Sequence, residues 1–375
     1  MPLPKPVILG SMFVSLGAFD GMLGVAWPTI AQQLDRPIAD LGWLLAAYLS
    51  ASMCGSLSAN WVMQRLGLNA CLFWASLVTM LAIIGVALAP SWGLLLVTIA
   101  IRGLGNGAIH TYLNTYAGKT VSNRQLMAIH TCWGGGAALA AMSMTYLVSQ
   151  QLAWQINLIW CVVPALIALS SYHQLAVISP RTQQRHRVKL ARWDWMAVLA
   201  TGFYVAIEAS VGNWSYSLMT QGWGTSVAFA GAVTSGFWAL LSLCRLGFSI
   251  LPLGASQWLR TMPVVLALSP LLIGLGFWFS WIGAAGVLLA GISASVVFPN
   301  LIAQGVANAD EHNHGKVTGL MLTSAAAGGT SGPGLMGLVA GAGALIWIPL
   351  PMIAIGAGSA YLAWQITKGP GSDER

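Results

Sequence analysis

Charge is what this sequence has least of. Nine Asp and Glu and 16 Lys and Arg stand among 375 residues, so 7% are charged, against about a quarter in a soluble domain. A water-soluble globular surface is excluded. Cysteine is sparse as well: Cys54, Cys71, Cys132, Cys161 and Cys244 lie in apolar stretches without CxxC spacing, which indicates neither a disulfide framework nor a zinc site. No phosphate loop or other ATP signature is present, so an ion gradient or the gradient of a solute is the expected energy source. A signal peptide is not indicated either, because the first apolar segment runs on to about Leu34 without a cleavage site, and a retained first helix is expected.

What is abundant is apolar length. Hydrophobic residues make up 57% of the chain, and uncharged runs cover Gly67 to Ile101, Gln125 to Ser179, Thr261 to Ala309 and Val317 to Thr367. A bilayer span takes about 20 residues, so each run holds two helices joined by a turn. Turn signals fall at Pro90-Ser-Trp-Gly93, Gln150-Gln151, Trp281-Ile-Gly283 and Gly341-Ala-Gly343. The expectation is an all-α membrane protein of twelve transmembrane helices. They are placed near 7–32, 41–63, 68–89, 92–117, 125–149, 154–176, 194–219, 226–249, 258–280, 283–305, 316–340 and 344–366.

Twelve spans put both termini on one side. With that side cytoplasmic, the inner segments hold Lys5, Arg65, Lys119, Arg124, Arg181, Arg185, Arg187, Lys189, Arg192, Arg260, Lys316, Lys368 and Arg375, and the outer loops hold only Arg36. Basic residues concentrate in short cytoplasmic loops, which places both termini in the cytoplasm and the chain in the inner (plasma) membrane. The net charge of +7 is accounted for by topology, and nucleic acid is not an expected partner. The segment 178–193, with five basic residues and no acid, reads as a cytoplasmic linker between an N-terminal six-helix half, 1–177, and a C-terminal half, 194–375. An offset of 188 aligns Asp20 with Glu208, Gly24 with Gly212 and Gly103 with Gly291, and a Trp follows each acid, Trp27 and Trp214. A parallel repeat of two six-helix halves is the mark of one large transporter class, with its site where the halves meet.

These residues resemble the major facilitator superfamily across essentially the whole chain. That family's loop between helices 2 and 3 usually reads Gly-x-x-x-Asp-Arg-x-Gly-Arg-Arg. Here Asn60-Trp-Val-Met-Gln64-Arg65-Leu-Gly67-Leu68-Asn69 keeps the arginine and second glycine and lacks the acid and the closing basic pair. The resemblance therefore does not carry over the interdomain latch made by that acid. Arg102-Gly103-Leu-Gly105-Asn106-Gly107 is similar to the family's arginine-and-glycine motif of helix 4, discussed for proton coupling. Gly328-Gly-Thr-Ser-Gly332-Pro333-Gly-Leu-Met-Gly337 looks like the Gly-Pro motif of drug antiporters, but stands on helix 11 instead of helix 5. Helix 5, His130-Thr-Cys-Trp133-Gly134-Gly135-Gly136, has no proline. Helices 5 and 7 look more like the fucose-permease-related sugar transporters. The resemblance implies transport of a small molecule by alternating access.

An ionisable group at bilayer depth costs at least a few kcal/mol and so usually marks a pathway. Asp20 and Glu208 each come roughly 20 Å up the membrane from the cytoplasmic side, and Tyr204, Glu208, Gly212 and Ser215 share one helical face. Protonation of either acid would switch it between charged and neutral forms. The alternative is an acid kept protonated and hydrogen-bonded for packing. Arg102 lies near the level of Asp20, where the two could meet, or it could pin helix 4 to a backbone carbonyl. Arg102, Asn106, His110 and Asn114 form a polar stripe at steps of four. His110 and His130 fall on neighbouring helices near the cytoplasm and could pass a proton, or serve as structural histidines.

For the solute, Trp27, Trp133, Trp214 and Trp238 supply rings for stacking, although tryptophan also anchors helices at membrane interfaces. Tyr204, Asn106, Asn213 and Asn300 supply hydrogen bonds, Asn300 following Pro299 at an expected helix break. The pairs Gly17 and Gly21, Gly103 and Gly107, and Gly328 and Gly332 read as close helix contacts. The loop Asp310-Glu311-His312-Asn-His314 has metal-ligand residue types in a solvated turn, which usually bind no metal. An intramembrane hydrolase built on Ser210 or Ser215 with His130 lacks a nucleophile motif. The expected function is secondary transport, coupled to protons or alternatively to sodium, of a small polar solute such as a sugar, by a monomer without enzymatic activity or cofactor. Proton-driven efflux of a drug or a metabolite such as a siderophore is the alternative.

Overall fold

The computed structural model describes residues 4–120, 123–171, 190–248, 255–310, 313–343 and 345–370. Twelve α-helices follow one another: α1 (Lys5–Gln33), α2 (Leu41–Leu66), α3 (Leu68–Ala87), α4 (Trp92–Thr120), α5 (Asn123–Ser149), α6 (Ile159–Ser171), α7 (Arg192–Ser217), α8 (Val227–Phe248), α9 (Ala255–Leu275), α10 (Ser280–Asn308), α11 (His314–Gly341) and α12 (Pro349–Ile366). This is the all-α, multi-pass architecture implied by the uncharged runs. Among the described residues nine of the helices are long and apolar enough to cross a membrane. The remaining three are α6, described over only 13 residues, and the glycine-rich α5 and α11. Large apolar side chains such as Trp43, Leu81, Leu104, Leu243 and Trp278 lie exposed, as helices solvated by lipid require.

Helix boundaries follow local chemistry. Gly67 carries the chain from α2 straight into α3 at φ 79°, a conformation that costs glycine no Cβ clash. Ser91 accepts the Leu94 N–H through its hydroxyl at 3.4 Å as α4 starts, and the Asp194 carboxylate accepts the Ala191 N–H at 2.7 Å as α7 starts, both satisfying donors that a helix leaves open. One turn sits earlier than the sequence suggests. α9 ends at Leu275 and α10 begins at Ser280, ahead of the expected Trp281-Ile-Gly283, because Gly283 and Gly276 both lie against the Trp223 ring. Glycine at 283 makes room for packing and is already helical.

The chain forms two compact units, Met1–Gln183 and Gln184–Arg375. Of the linker expected over 178–193, residues 178–189 lie outside the described residues. Within the first unit α1 packs on α5 and α6, α2 on α4, and α3 on α4 and α6. Within the second, α7 packs on α11 and α12, α8 on α10, and α9 on α10 and α12. The second set repeats the first six helices on.

Small residues set these crossings. A Cβ at Gly17 or Gly21 would collide with the α5 backbone at Trp133 and Ala137, and one at Gly328 or Gly332 with the α7 backbone at Gly202 and Ala206. Gly103 and Gly107 meet the α2 backbone at Tyr48 and Ser52 in the same way. Apolar side chains gain little by leaving lipid for a helix contact, so close backbone approach drives such association. The repeat is visible at this level too: Gly103 of α4 abuts Tyr48, and Gly291 of α10 abuts Phe237, so both members of the contact shift by nearly the same offset.

Candidate functional site

In the first unit the glycine crossings deliver partners to Asp20. With α5 drawn onto α1 at Gly17, the Trp133 indole N–H donates to Oδ2 of Asp20 at 3.2 Å. From α2, the Tyr48 hydroxyl donates to Oδ1 at 2.7 Å. Arg102 is fully buried, with its guanidinium over the Phe19 ring at 4.6 Å and the Tyr48 ring at 6.0 Å. Nη1 donates to Oδ1 of Asn106 at 3.2 Å, and Asn106 Nδ2 to the Ser52 hydroxyl at 3.5 Å. Arg102 Nε and Nη2 have no hydrogen-bond partner.

The direct meeting of Asp20 with Arg102 that their depth allows is not made. Arg36 and Asp40 form an ion pair, whereas Asp20 and Arg102 do not. Both Asp20 oxygens already accept from neutral donors, and Arg102 lies within electrostatic reach without touching them.

The second unit has a related grouping. Glu208 stands on α7 with the Tyr204 hydroxyl beside it and Arg245 of α8 in electrostatic reach. Both neighbours also serve backbone carbonyls of α10. The buried Tyr204 donates to the Ala294 carbonyl at 2.9 Å, and Arg245 Nε donates to the Ser295 carbonyl at 2.9 Å. Trp238 lies against Gly212, one turn beyond Glu208, with Phe237 edge-on to it at 4.9 Å. The expected helix break at Pro299 does not occur. α10 runs through it, as α1, α9 and α11 run through their own prolines, and Arg245 Nε serves the carbonyl four residues back that Pro299 cannot.

Several residues expected near a solute are engaged in packing. Trp27 and Trp214 are fully buried, and their indole N–H groups donate to the carbonyls of Ile38 at 2.8 Å and Pro333 at 3.1 Å. Asn213 and Asn300 direct their amide donors to carbonyls four residues back on their own helices, at 2.9 and 2.7 Å. Trp133, by contrast, is only partly buried. His110 of α4 and His130 of α5 lie within electrostatic reach of each other. Both rings stand edge-on to Phe13 of α1, at 5.9 and 4.9 Å, so an apolar ring adjoins both. Asn114 donates to the His110 carbonyl at 2.8 Å at the exposed end of the stripe. Of the possible metal loop, Glu311 and His312 lie outside the described residues, and a ring nitrogen of His314 lies 3.2 Å from the Ala309 carbonyl oxygen.

Two residues of these groupings are absent from the sequence reading, Tyr48 and Arg245. Arg245 carried a signal, as the sole charged residue inside the expected span 226–249. Tyr48 carried none beyond lying in a span.

Comparison with known proteins bears on the whole arrangement. No curated protein matches the sequence. Among solved structures the chain is similar to a mutant of the nucleoside transporter NupG, with TM-score 0.75, 12% identity, and 97% of this chain and 98% of that one covered. It is similar also to the POT family transporter PepTSo, with TM-score 0.74, 11% identity, and 98% of each chain covered. A third is the Major Facilitator Superfamily transporter FucP in its outward conformation, with TM-score 0.67, 17% identity, and 97% and 99% covered. At such identities these likenesses establish the fold. The sequence profile of the Major Facilitator Superfamily matches residues 9–333, and the chain belongs to that superfamily of membrane transporters.

Proposed function

We propose that this transporter carries a small polar solute, a sugar or sugar-like metabolite, by alternating access, with proton uptake and release at Asp20 and Glu208 coupled to the cycle. Both termini lie in the cytoplasm in this reading, as the basic loops require. One observation carries it: each unit holds, inside a span, a carboxylate with a tyrosine beside it and an arginine in reach, yet in no ion pair. An acid so placed changes protonation without breaking a salt bridge, and its charge weights one conformation over another. Arg102 and Arg245 supply the field that makes the two protonation states differ. His110 and His130, part of the apolar packing around Phe13, are secondary candidates for a proton path.

Trp133 is the aromatic best placed for the solute. Its N–H is on Asp20 while its ring remains partly exposed, so stacking and hydrogen bonding converge on one residue. Asn106 is a further candidate contact in the first unit and Trp238 a candidate in the second, whereas Trp27, Trp214, Asn213 and Asn300 support the helices of their own units. Similar structures include a nucleoside transporter and FucP, and the likeness of helices 5 and 7 to fucose-permease relatives points toward sugars. The test is accumulation of radiolabelled sugars and nucleosides in proteoliposomes with the outside made acidic, then the inside. Accumulation driven by outside acid supports import. Solute movement only against the reversed gradient overturns import in favour of drug or metabolite efflux.

A further inference from the structure

Pro299 leaves a gap in α10. It has no N–H, so the Ser295 carbonyl four residues earlier loses its helical donor. Arg245 Nε fills that gap at 2.9 Å, and the Tyr204 hydroxyl sits on the neighbouring Ala294 carbonyl at 2.9 Å. Two successive carbonyls of α10 are therefore held by side chains from α8 and α7. Both donors border Glu208. A tyrosine hydroxyl has one proton, so Tyr204 serves either Ala294 or Glu208; Arg245 has five N–H donors in one rigid fork, so turning that fork fully toward Glu208 draws Nε off the Ser295 carbonyl.

We propose that Arg245 is a positioning residue: it divides its guanidinium between Glu208 and the carbonyl left open by Pro299, so the charge on Glu208 sets how firmly α7 and α8 grip the proline turn of α10. With Glu208 neutral, Arg245 and Tyr204 rest on Ser295 and Ala294. With Glu208 ionised, the charge-assisted bonds to it are the stronger ones, and both carbonyls are released together. The proline turn then loses two ties at once and is free to bend. Other groups do not compete for Glu208. Of the helices packed on α7, α8 brings Cys244 and Arg245, α10 no ionisable side chain, α11 only His314 and Lys316 in its first turn, and α12 only Tyr361. Among all of these, Arg245 and the adjacent Tyr204 alone act on the carboxylate.

This inference rests on the reading that Glu208 exchanges a proton, and the experiment separates the two. The full chain in lipid vesicles is followed by infrared spectroscopy, reading the protonated-carboxyl band against pH in wild type, E208Q, R245Q and R245K. E208Q should remove one titrating band. In R245Q that band should persist to a pH higher by about one unit, because an opposing charge is gone, and R245K should restore most of the shift. A band unchanged by E208Q overturns proton exchange at Glu208, and this inference with it. A band removed by E208Q but identical in R245Q and wild type leaves Glu208 in place and overturns the role of Arg245. Amide exchange across 296–308 checks the other partner. R245Q should exchange about fivefold faster there, one lost hydrogen bond, and adding P299A, which returns the N–H, should cancel the change. Equal exchange in R245Q and wild type overturns the tie to α10.

Discussion

The Tyr48 hydroxyl lies 2.7 Å from Oδ1 of Asp20, joining α2 to α1 through the one acid of the first helix. A hydrogen bond to a charged acceptor contributes about 1.5–3 kcal/mol, and one to a neutral acid about 1 kcal/mol. Y48F should therefore lower thermal stability in detergent. In a cycle with D20N the two losses should fail to add, with a coupling of about 1–2 kcal/mol. Additive losses would mean that the short contact contributes nothing to folding.

Two glycines of α11 should respond in opposite ways to the same change. A Cβ at Gly319 meets nothing, whereas one at Gly328 strikes the Gly202 backbone of α7. G319A should leave the protein as stable as wild type or more so, by up to about 1 kcal/mol, since alanine favours a helix interior. G328A should force α7 and α11 apart and reduce the folded fraction on size-exclusion chromatography. Equal yields of the two variants would show that the close crossing is not needed for assembly.

Most of the architecture was legible because lipid imposes simple rules. An uncharged run long enough for two spans has few other uses, so helix number and order follow from the positions of charges and turns. The glycine pairs were legible for the same reason, and the structure finds Gly17, Gly21, Gly103, Gly107, Gly328 and Gly332 at backbone contacts. Side-chain commitments were not. Whether Trp27 offers its ring to a solute or its N–H to Ile38 depends on a partner eleven residues away in a turn. Pro299 suggested a broken helix because its missing N–H is local, while the compensating Arg245 comes from another helix. Asp20 and Arg102 share a depth, but depth says nothing of which donors reach the carboxylate first.

The tryptophans give a comparison that separates packing from solute contact. Trp27 is enclosed and donates to a backbone carbonyl, whereas Trp133 donates to Asp20 and keeps accessible surface. W27F should lower the unfolding midpoint by the loss of one hydrogen bond, about 1 kcal/mol, and leave solute-induced thermal shifts intact. W133F should reduce those shifts across the sugar panel. Retained shifts in W133F, with loss in W27F, would reverse the assignment.

Arg102 offers the clearest separation of stability from function. Its guanidinium is fully buried, outside any ion pair, and two of its three nitrogens lack a hydrogen-bond partner. Enclosing a charge with so few compensating contacts costs several kcal/mol, and an apolar side chain of similar volume at the same place does not carry that cost. A helix bundle has no reason to keep such a residue for folding alone. R102M should therefore unfold at the same temperature as wild type or higher, while proton-driven uptake in vesicles falls at least tenfold, a loss of about 1.4 kcal/mol of coupling. The opposite pattern, an unstable R102M whose folded fraction still transports, would make Arg102 a structural pin of α4 and leave Asp20 without its electrostatic partner in the cycle.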